Sequence, residues 1–176
     1  MRLSISAEHP LHRFFSGLVE HAMHAEAGIA DPGVVGYLAE LLIDFIHSDR
    51  IFGLRDEQGR PLNQVADMLA RTQAAPAGEV HRHIGDFTLF WVSVYPENLR
   101  RLCARGAKDY VIDYFRQGKH SYALASELSR EDGRPPASLL RRLSEQYECC
   151  AYGLGMVREQ VRQAAESSGS AGKLLR

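Results

Sequence analysis

The sequence EVHRHIGDFTLFWVSVYPE, residues 79–97, becomes apolar on nearly every side once it passes Asp86. Wound as a helix, it distributes large apolar side chains around its whole axis: Val80, Ile84, Phe87, Leu89, Phe90, Trp91, Val92, Val94 and Tyr95. A helix with this distribution needs other helices on all sides to cover it. We therefore predict that residues 79–95 form the buried central helix of a bundle.

A narrow polar strip remains on this helix, formed by Glu79, Arg82, His83, Asp86 and Ser93. Burial of its ionisable groups requires hydrogen-bond partners or shifted pKa values. Arg82 precedes Asp86 by one helical turn and can pair with it. The strip is the first candidate for a functional site.

Apolar residues recur at helical spacing through the rest of the chain, and no segment shows the alternation of a strand. Asp31 is a suitable cap for a helix that has Pro32 at its first position. Besides 79–95, the predicted helices cover residues 8–28, 32–48, 63–72, 97–104, 107–130 and 139–165. The fold class is all-α: a single-domain helical bundle of about six or seven helices over residues 1–166, with a flexible C-terminal tail at 167–176.

Composition and charge narrow the classes of function. The chain has 176 residues, 45% hydrophobic and 24% charged, with a formal net charge of −1. A nucleic-acid-binding domain usually has a strongly basic face, so nucleic acid is an unlikely partner. The first 95 residues are mildly acidic and the remainder mildly basic, which favours self-association, and a homo-oligomer, most simply a dimer, is expected.

Cellular location is predicted from what the sequence lacks. No apolar run is long enough to cross a membrane, and the first residues lack the apolar core of a secretory signal. The three cysteines form an odd set without metal-binding spacing. We therefore expect a cytoplasmic protein with reduced thiols and no membrane partner.

A second polar strip lies on the predicted helix 107–130. We hypothesise that it faces the polar strip of the helix 79–95. If the two strips meet, carboxylate and imidazole ligands from two helices converge as iron, manganese or zinc prefers. The commoner outcome for such buried acids is structural bonding to Arg, Tyr or His. The candidate residues for a ligand site or buried polar site are His83, Asp86, Tyr110, Asp113, Tyr114 and His120.

Sequence motifs for catalysis are absent. The chain contains no Glu-x-x-His pair of the di-iron bundles and no Gly-x-Ser-x-Gly turn. The leading hypothesis is therefore a helical ligand-binding or protein-interaction domain with no evident cofactor. The alternative is a metal- or haem-dependent enzyme, with iron or haem as its cofactor. By fold analogy alone, it would resemble the ferritin-like or haem-oxygenase-like bundles.

Overall fold

The structure, a computed structural model, describes residues 10–47, 51, 53–130 and 133–173. These residues form eight α-helices: α1 Pro10–His21, α2 Pro32–His47, α3 Val65–Arg71, α4 Ala77–Val94, α5 Pro96–Leu102, α6 Tyr114–Leu128, α7 Ala137–Glu145 and α8 Tyr147–Lys173. A short π-helix, Ala22–Glu26, extends α1. Within the described ranges no strand occurs, only an isolated bridge between Arg55 and Pro61. The predicted all-α, single-domain fold is confirmed.

Helix α4 lies at the centre of the bundle and packs against α2, α3, α5, α6 and α8. From Ile84 to Val94 every residue except the half-buried Trp91 is buried. The apolar side chains around its axis explain this position, because each side of the helix gains from contact with a neighbour. The prediction of a buried central helix is confirmed.

The sequence predicted the starts of α2 and α5 from residues next to them. The Asp31 carboxylate accepts hydrogen bonds from the backbone N–H of Gly33 at 2.9 Å and of Val34 at 3.2 Å. These bonds satisfy donors that have no partner inside the first turn of α2. Helix α4 ends at Val94, two residues before Pro96, and Pro96 occupies the first position of α5. A proline suits that position because it has no N–H to leave unpaired.

The prediction of one helix over residues 107–130 is wrong in its first part. Residues 107–113 form turns, and α6 begins only at Tyr114. Asp113 caps α6 by accepting a hydrogen bond from the N–H of Arg116 at 3.2 Å. The turns bring the Asp109 carboxylate to the start of α3, where the N–H groups of Val65 and Ala66 donate to it. This tertiary hydrogen bonding overrides the helical pattern of the sequence.

The last helical pattern also differs from the expectation. It divides at Gln146 into α7 and α8, which raises the number of helices above the six or seven predicted. Helix α8 then continues to Lys173, beyond the predicted end near Ala165. The hydroxyls of Ser167 and Ser168 donate to carbonyls four residues earlier, so these side chains bond to the helix that contains them. Much of the segment expected as a tail is therefore helical, and its flexibility stays a prediction.

No α-helix in the described part of the chain is long and apolar enough to cross a membrane. Cys103, Cys149 and Cys150 are free thiols. The cytoplasmic location stays a prediction.

Glycines allow the close crossing of α4 and α6. A Cβ atom added to Gly85 would lie 2.7 Å from the ring of Tyr122. On the facing helix, a Cβ at Gly118 would collide with the hydroxyls of Tyr147 and Thr88. Tyr147 donates a hydrogen bond of 3.0 Å to Thr88, so the crossing also contains a buried polar contact.

We expect Gly85→Ala to lower the free energy of unfolding by about 1–3 kcal/mol, because the methyl group displaces the Tyr122 ring. The matched control is Gly36→Ala on α2, where an added Cβ meets no atom within 4 Å. That exchange should raise stability by about 0.5–1 kcal/mol through helix propensity. Urea denaturation of both variants measures the two effects, and equal stability gains would contradict the close crossing.

Candidate functional site

Asp86 is the most deeply buried ionisable side chain of the central helix, with 6% of its surface exposed. Its Oδ1 accepts hydrogen bonds from the hydroxyl of Tyr37 at 2.6 Å and of Tyr122 at 2.7 Å. Its Oδ2 lies 3.5 Å from the guanidinium of Arg82. Because Tyr37 belongs to α2 and Tyr122 to α6, one carboxylate joins three helices.

The electrostatics of this cluster follow from its burial. Burial raises the pKa of Asp86, while Arg82 and the two phenols oppose that rise by stabilising the anion. Burial and the nearby Asp86 charge raise the pKa of both Tyr37 and Tyr122 well above the ordinary value. The phenols therefore remain protonated donors throughout the physiological pH range.

His83 lies beside the cluster and is held neutral. Burial, reinforced by the positive charge of Arg82, lowers the pKa of His83 to about 4, against the opposing hydrogen bond to the Ile51 backbone. The Nε2 atom of His83 is buried and has no hydrogen-bond partner in the described structure. The neutral ring therefore offers an unused polar atom at this point.

A pocket of about 350 Å³ opens between α2 and α4 next to these groups. Its described lining combines acids, one guanidinium, an imidazole and aromatic rings: Tyr37, Glu40, Leu41, Asp44, Phe45, Arg82, His83, Asp86 and Pro135. We call it the acidic pocket, because three carboxylates line it and Arg82 is the one cation among the described lining residues.

Two larger recesses also open on the surface. One, of about 590 Å³, lies between the Asp56–Pro61 turn and α3, and the other, of about 720 Å³, lies at the start of α4. Size alone would favour these recesses. The acidic pocket is the better candidate site, because the buried polar cluster of Asp86, Tyr37 and His83 forms part of its wall.

The other predicted site residues do not join His83 and Asp86 at the acidic pocket. Tyr114 is buried, but its hydroxyl donates to Asp109 at 2.6 Å. Asp113 is an exposed helix cap, and Tyr110 is 55% exposed. His120 is exposed on α6. Burial lowers the pKa of His81, and the nearby His120 contributes to that shift. The two polar strips therefore do not converge on one site.

A metal centre made from the two strips is not formed. Searching the described residues reveals no group of three or more His, Cys, Asp or Glu side chains that could hold a metal ion. The carboxylates that the sequence offered as ligands are instead engaged by phenols, backbone N–H groups and a guanidinium.

Sequence reasoning expected a tyrosine of the helix 107–130 as one possible partner of Asp86, but it named neither Tyr122 nor Tyr37. Tyr37 lies on α2, and its role required knowing that α2 crosses α4 near Asp86. Tyr122 carried a usable signal, because it shares one helical face with Gly118, Ser121 and Ala125, the small residues of α6. A tyrosine among small residues on a buried face needs an acceptor for its hydroxyl, and Asp86 is that acceptor.

Comparison of the chain with known protein families, with curated proteins and with solved structures finds no match. The functional argument therefore depends on the geometry and chemistry of the pocket.

The low pKa of His83 predicts a stability change at acidic pH. Between its ordinary value of 6.5 and about 4, the unfolded chain protonates His83 but the folded chain does not. The free energy of unfolding therefore decreases as the pH falls through this window, and the total decrease is about 3 kcal/mol. The raised pKa of Asp86 contributes with the opposite sign, so the measurement must isolate His83.

We expect His83→Asn to remove this contribution, since its amide can occupy the position of Nδ1 without taking up a proton. Urea denaturation of wild type and variant between pH 7 and pH 4 should show the stability difference shifting in favour of the variant as the pH falls. His24→Asn, which removes an exposed imidazole, is the matched control. A pH-independent difference between wild type and His83→Asn would contradict the burial of a neutral ring.

Proposed function

We propose that this protein is a small-molecule-binding domain and that the acidic pocket takes a small organic cation. The observation that carries the proposal is the lining of the pocket, where the exposed Glu40 carboxylate and aromatic rings accompany an Arg82 that Asp86 already engages. A concave site with a few fixed polar groups beside apolar and aromatic walls is the usual form of a ligand site.

The sign of the ligand charge follows from the ionisable groups. His83 adds no positive charge near neutral pH, because its pKa is held at about 4. Arg82 is already engaged on one side by Asp86 and on the other by Glu79, each at 3.5 Å. The exposed Glu40 carboxylate therefore adds negative charge beside an arginine that is already engaged, and an ammonium group is the favoured occupant.

The aromatic side chains suit the same ligand. The rings of Tyr37 and Phe45 line the pocket, and Phe45 is fixed by an edge-to-face contact with Phe90 at 5.2 Å between centroids. Aromatic faces attract ammonium groups and also pack against apolar ligand bodies.

Benzylamine, an ammonium group on an aromatic body, tests the proposal by isothermal titration calorimetry. We expect it to bind, and we expect benzyl alcohol, which lacks the charge, to bind much more weakly. Glu40→Gln should weaken benzylamine binding by about two- to fivefold, because an exposed carboxylate contributes a screened attraction.

The matched control is Glu20→Gln, which removes an exposed carboxylate on α1, away from the pocket lining. It should leave the affinity for benzylamine unchanged. Failure of benzylamine to bind, equal binding of benzyl alcohol, or an equal loss in the two variants would each refute a cation site at this pocket.

Among the described residues no group of three or more His, Cys, Asp or Glu side chains could hold a metal ion, so no such group favours the metal-dependent alternative.

We also propose that the protein self-associates. The turn before α6 and the first part of that helix expose Tyr110, Val111 and Phe115. Exposed apolar side chains of this size favour contact with another surface. Light scattering behind a sizing column should give the mass of a dimer, and a monomer at high concentration would contradict the proposal.

A further inference from the structure

The chain exposes two apolar side chains at the tip of one tight turn. The N–H of Ile112 donates a hydrogen bond of 2.9 Å to the carbonyl of Asp109, which closes a turn with Tyr110 and Val111 at its centre. Val111 is 85% exposed and Tyr110 is 55% exposed. Such tips usually consist of Gly, Pro, Asn, Asp or Ser, so the needs of the turn itself do not explain an exposed tyrosine and valine.

Both ends of this turn are anchored to the rest of the protein. The buried Asp109 carboxylate accepts hydrogen bonds from the N–H groups of Val65 and Ala66 and from the hydroxyl of Tyr114. At the other end, Ile112 is half-buried and packs against the hydrophobic core. The tip is therefore held outward in a fixed position, and burying it against a partner costs little conformational entropy.

Phe115, in the first turn of α6, is a third exposed apolar side chain, four residues after Val111. Its ring is 42% exposed, and an edge-to-face contact with Tyr147 at 6.1 Å between centroids fixes its position. Tyr110, Val111 and Phe115 are three of the seven large apolar side chains exposed in the described structure. Their concentration within residues 110–115 is typical of a protein contact, whereas single exposed apolar residues are ordinary. We call these three residues the apolar tip.

The charges beside the apolar tip are of both signs. Asp113 and Arg116 lie on either side of Phe115 in the sequence and are exposed, and neither forms an ion pair with a described residue. In a contact about a two-fold axis, residue i of one copy faces residue j of the other, and j faces i. One acid and one base on a short segment can therefore form the same ion pair twice. Such a surface is complementary to itself, which favours a second copy of this chain as its partner.

The other cations near the apolar tip permit this contact. Lys108 is already paired with Asp67 at 2.7 Å. Arg100, Arg101 and Arg105 are exposed on α5 and the turn after it. Because they lie in solvent, salt screens their repulsion of a second copy at distances beyond about 10 Å.

We propose that two copies of the chain associate about a two-fold axis at the apolar tip, with Val111 at the centre and Asp113–Arg116 ion pairs on both sides. This inference rests on the self-association proposed above and specifies its surface. None of these residues lines the acidic pocket, so the interface and the cation site are independent.

Sedimentation velocity of the full chain over a dilution series measures the dissociation constant of the dimer. We expect Val111→Ser to raise this constant by at least about tenfold, because each dimer buries two copies of the side chain. Val111 is largely exposed in the single chain, so folding is not at risk. Phe14→Ser, at an exposed ring on α1, is the matched control and should keep the dissociation constant of the wild type.

Charge reversal tests the ion pairs. Arg116→Glu places acid opposite acid twice in the dimer, and Asp113→Lys places base opposite base twice, so each variant alone should raise the dissociation constant at least about threefold. Mixed in equal amounts, the two variants should form a heterodimer in which both ion pairs are restored. Asp113 also caps α6. A weakened cap would persist in the mixture, so restoration assigns the loss to the charges.

Three results would overturn the proposal. A monomeric wild type refutes self-association, and this interface with it. A dimeric wild type whose dissociation constant changes equally in Val111→Ser and Phe14→Ser leaves self-association standing and refutes this surface. Failure of the mixed charge variants to associate more tightly than either variant alone refutes the two-fold pairing of Asp113 with Arg116.

Discussion

The need of the Asp86 carboxylate for hydrogen-bond donors constrains how the helices of this protein pack. Burying an anion without donors costs far more free energy than any single apolar contact contributes. Two donors are the hydroxyls of Tyr37 on α2 and Tyr122 on α6. The third is the guanidinium of Arg82, which lies on α4 together with Asp86. These three helices can therefore adopt only an arrangement that brings both phenols to one oxygen atom, which makes the packing specific as well as compact.

The close approach of α4 and α6 follows from the same requirement. The Tyr122 hydroxyl reaches Asp86 with its ring close to the backbone of α4, in space that a side chain at Gly85 would occupy. One turn further along α4, Thr88 meets Tyr147 beside Gly118, so the polar contacts continue through the crossing. Glycine and tyrosine therefore act as complementary pairs here, with each ring filling the space that a side chain would otherwise occupy.

Features encoded by neighbouring residues were predictable, and features that depend on distant partners were not. The cap at Asp31 and the break at Pro96 involve only nearby residues, and the burial of α4 follows from its own composition. The turns at 107–113 exist because Asp109 bonds to the start of α3, more than 40 residues away, a contact that no local pattern reveals. For the same reason the sequence identified Asp86 and His83 as a polar site but could not supply Tyr37 from another helix.

The protonation states in the acidic pocket argue for binding rather than for acid–base catalysis. A general acid or base works best when its pKa lies near the working pH. Burial moves the pKa of Tyr37 upward and that of His83 down to about 4, in each case away from neutrality. The pKa of Asp86 moves toward neutrality, but its Oδ1 accepts two phenol hydrogen bonds and its Oδ2 faces Arg82, so proton transfer to a ligand would have to break this network. Tyr37 and His83 therefore stay neutral around neutral pH, and the proposed cation site requires that neither group change its charge there.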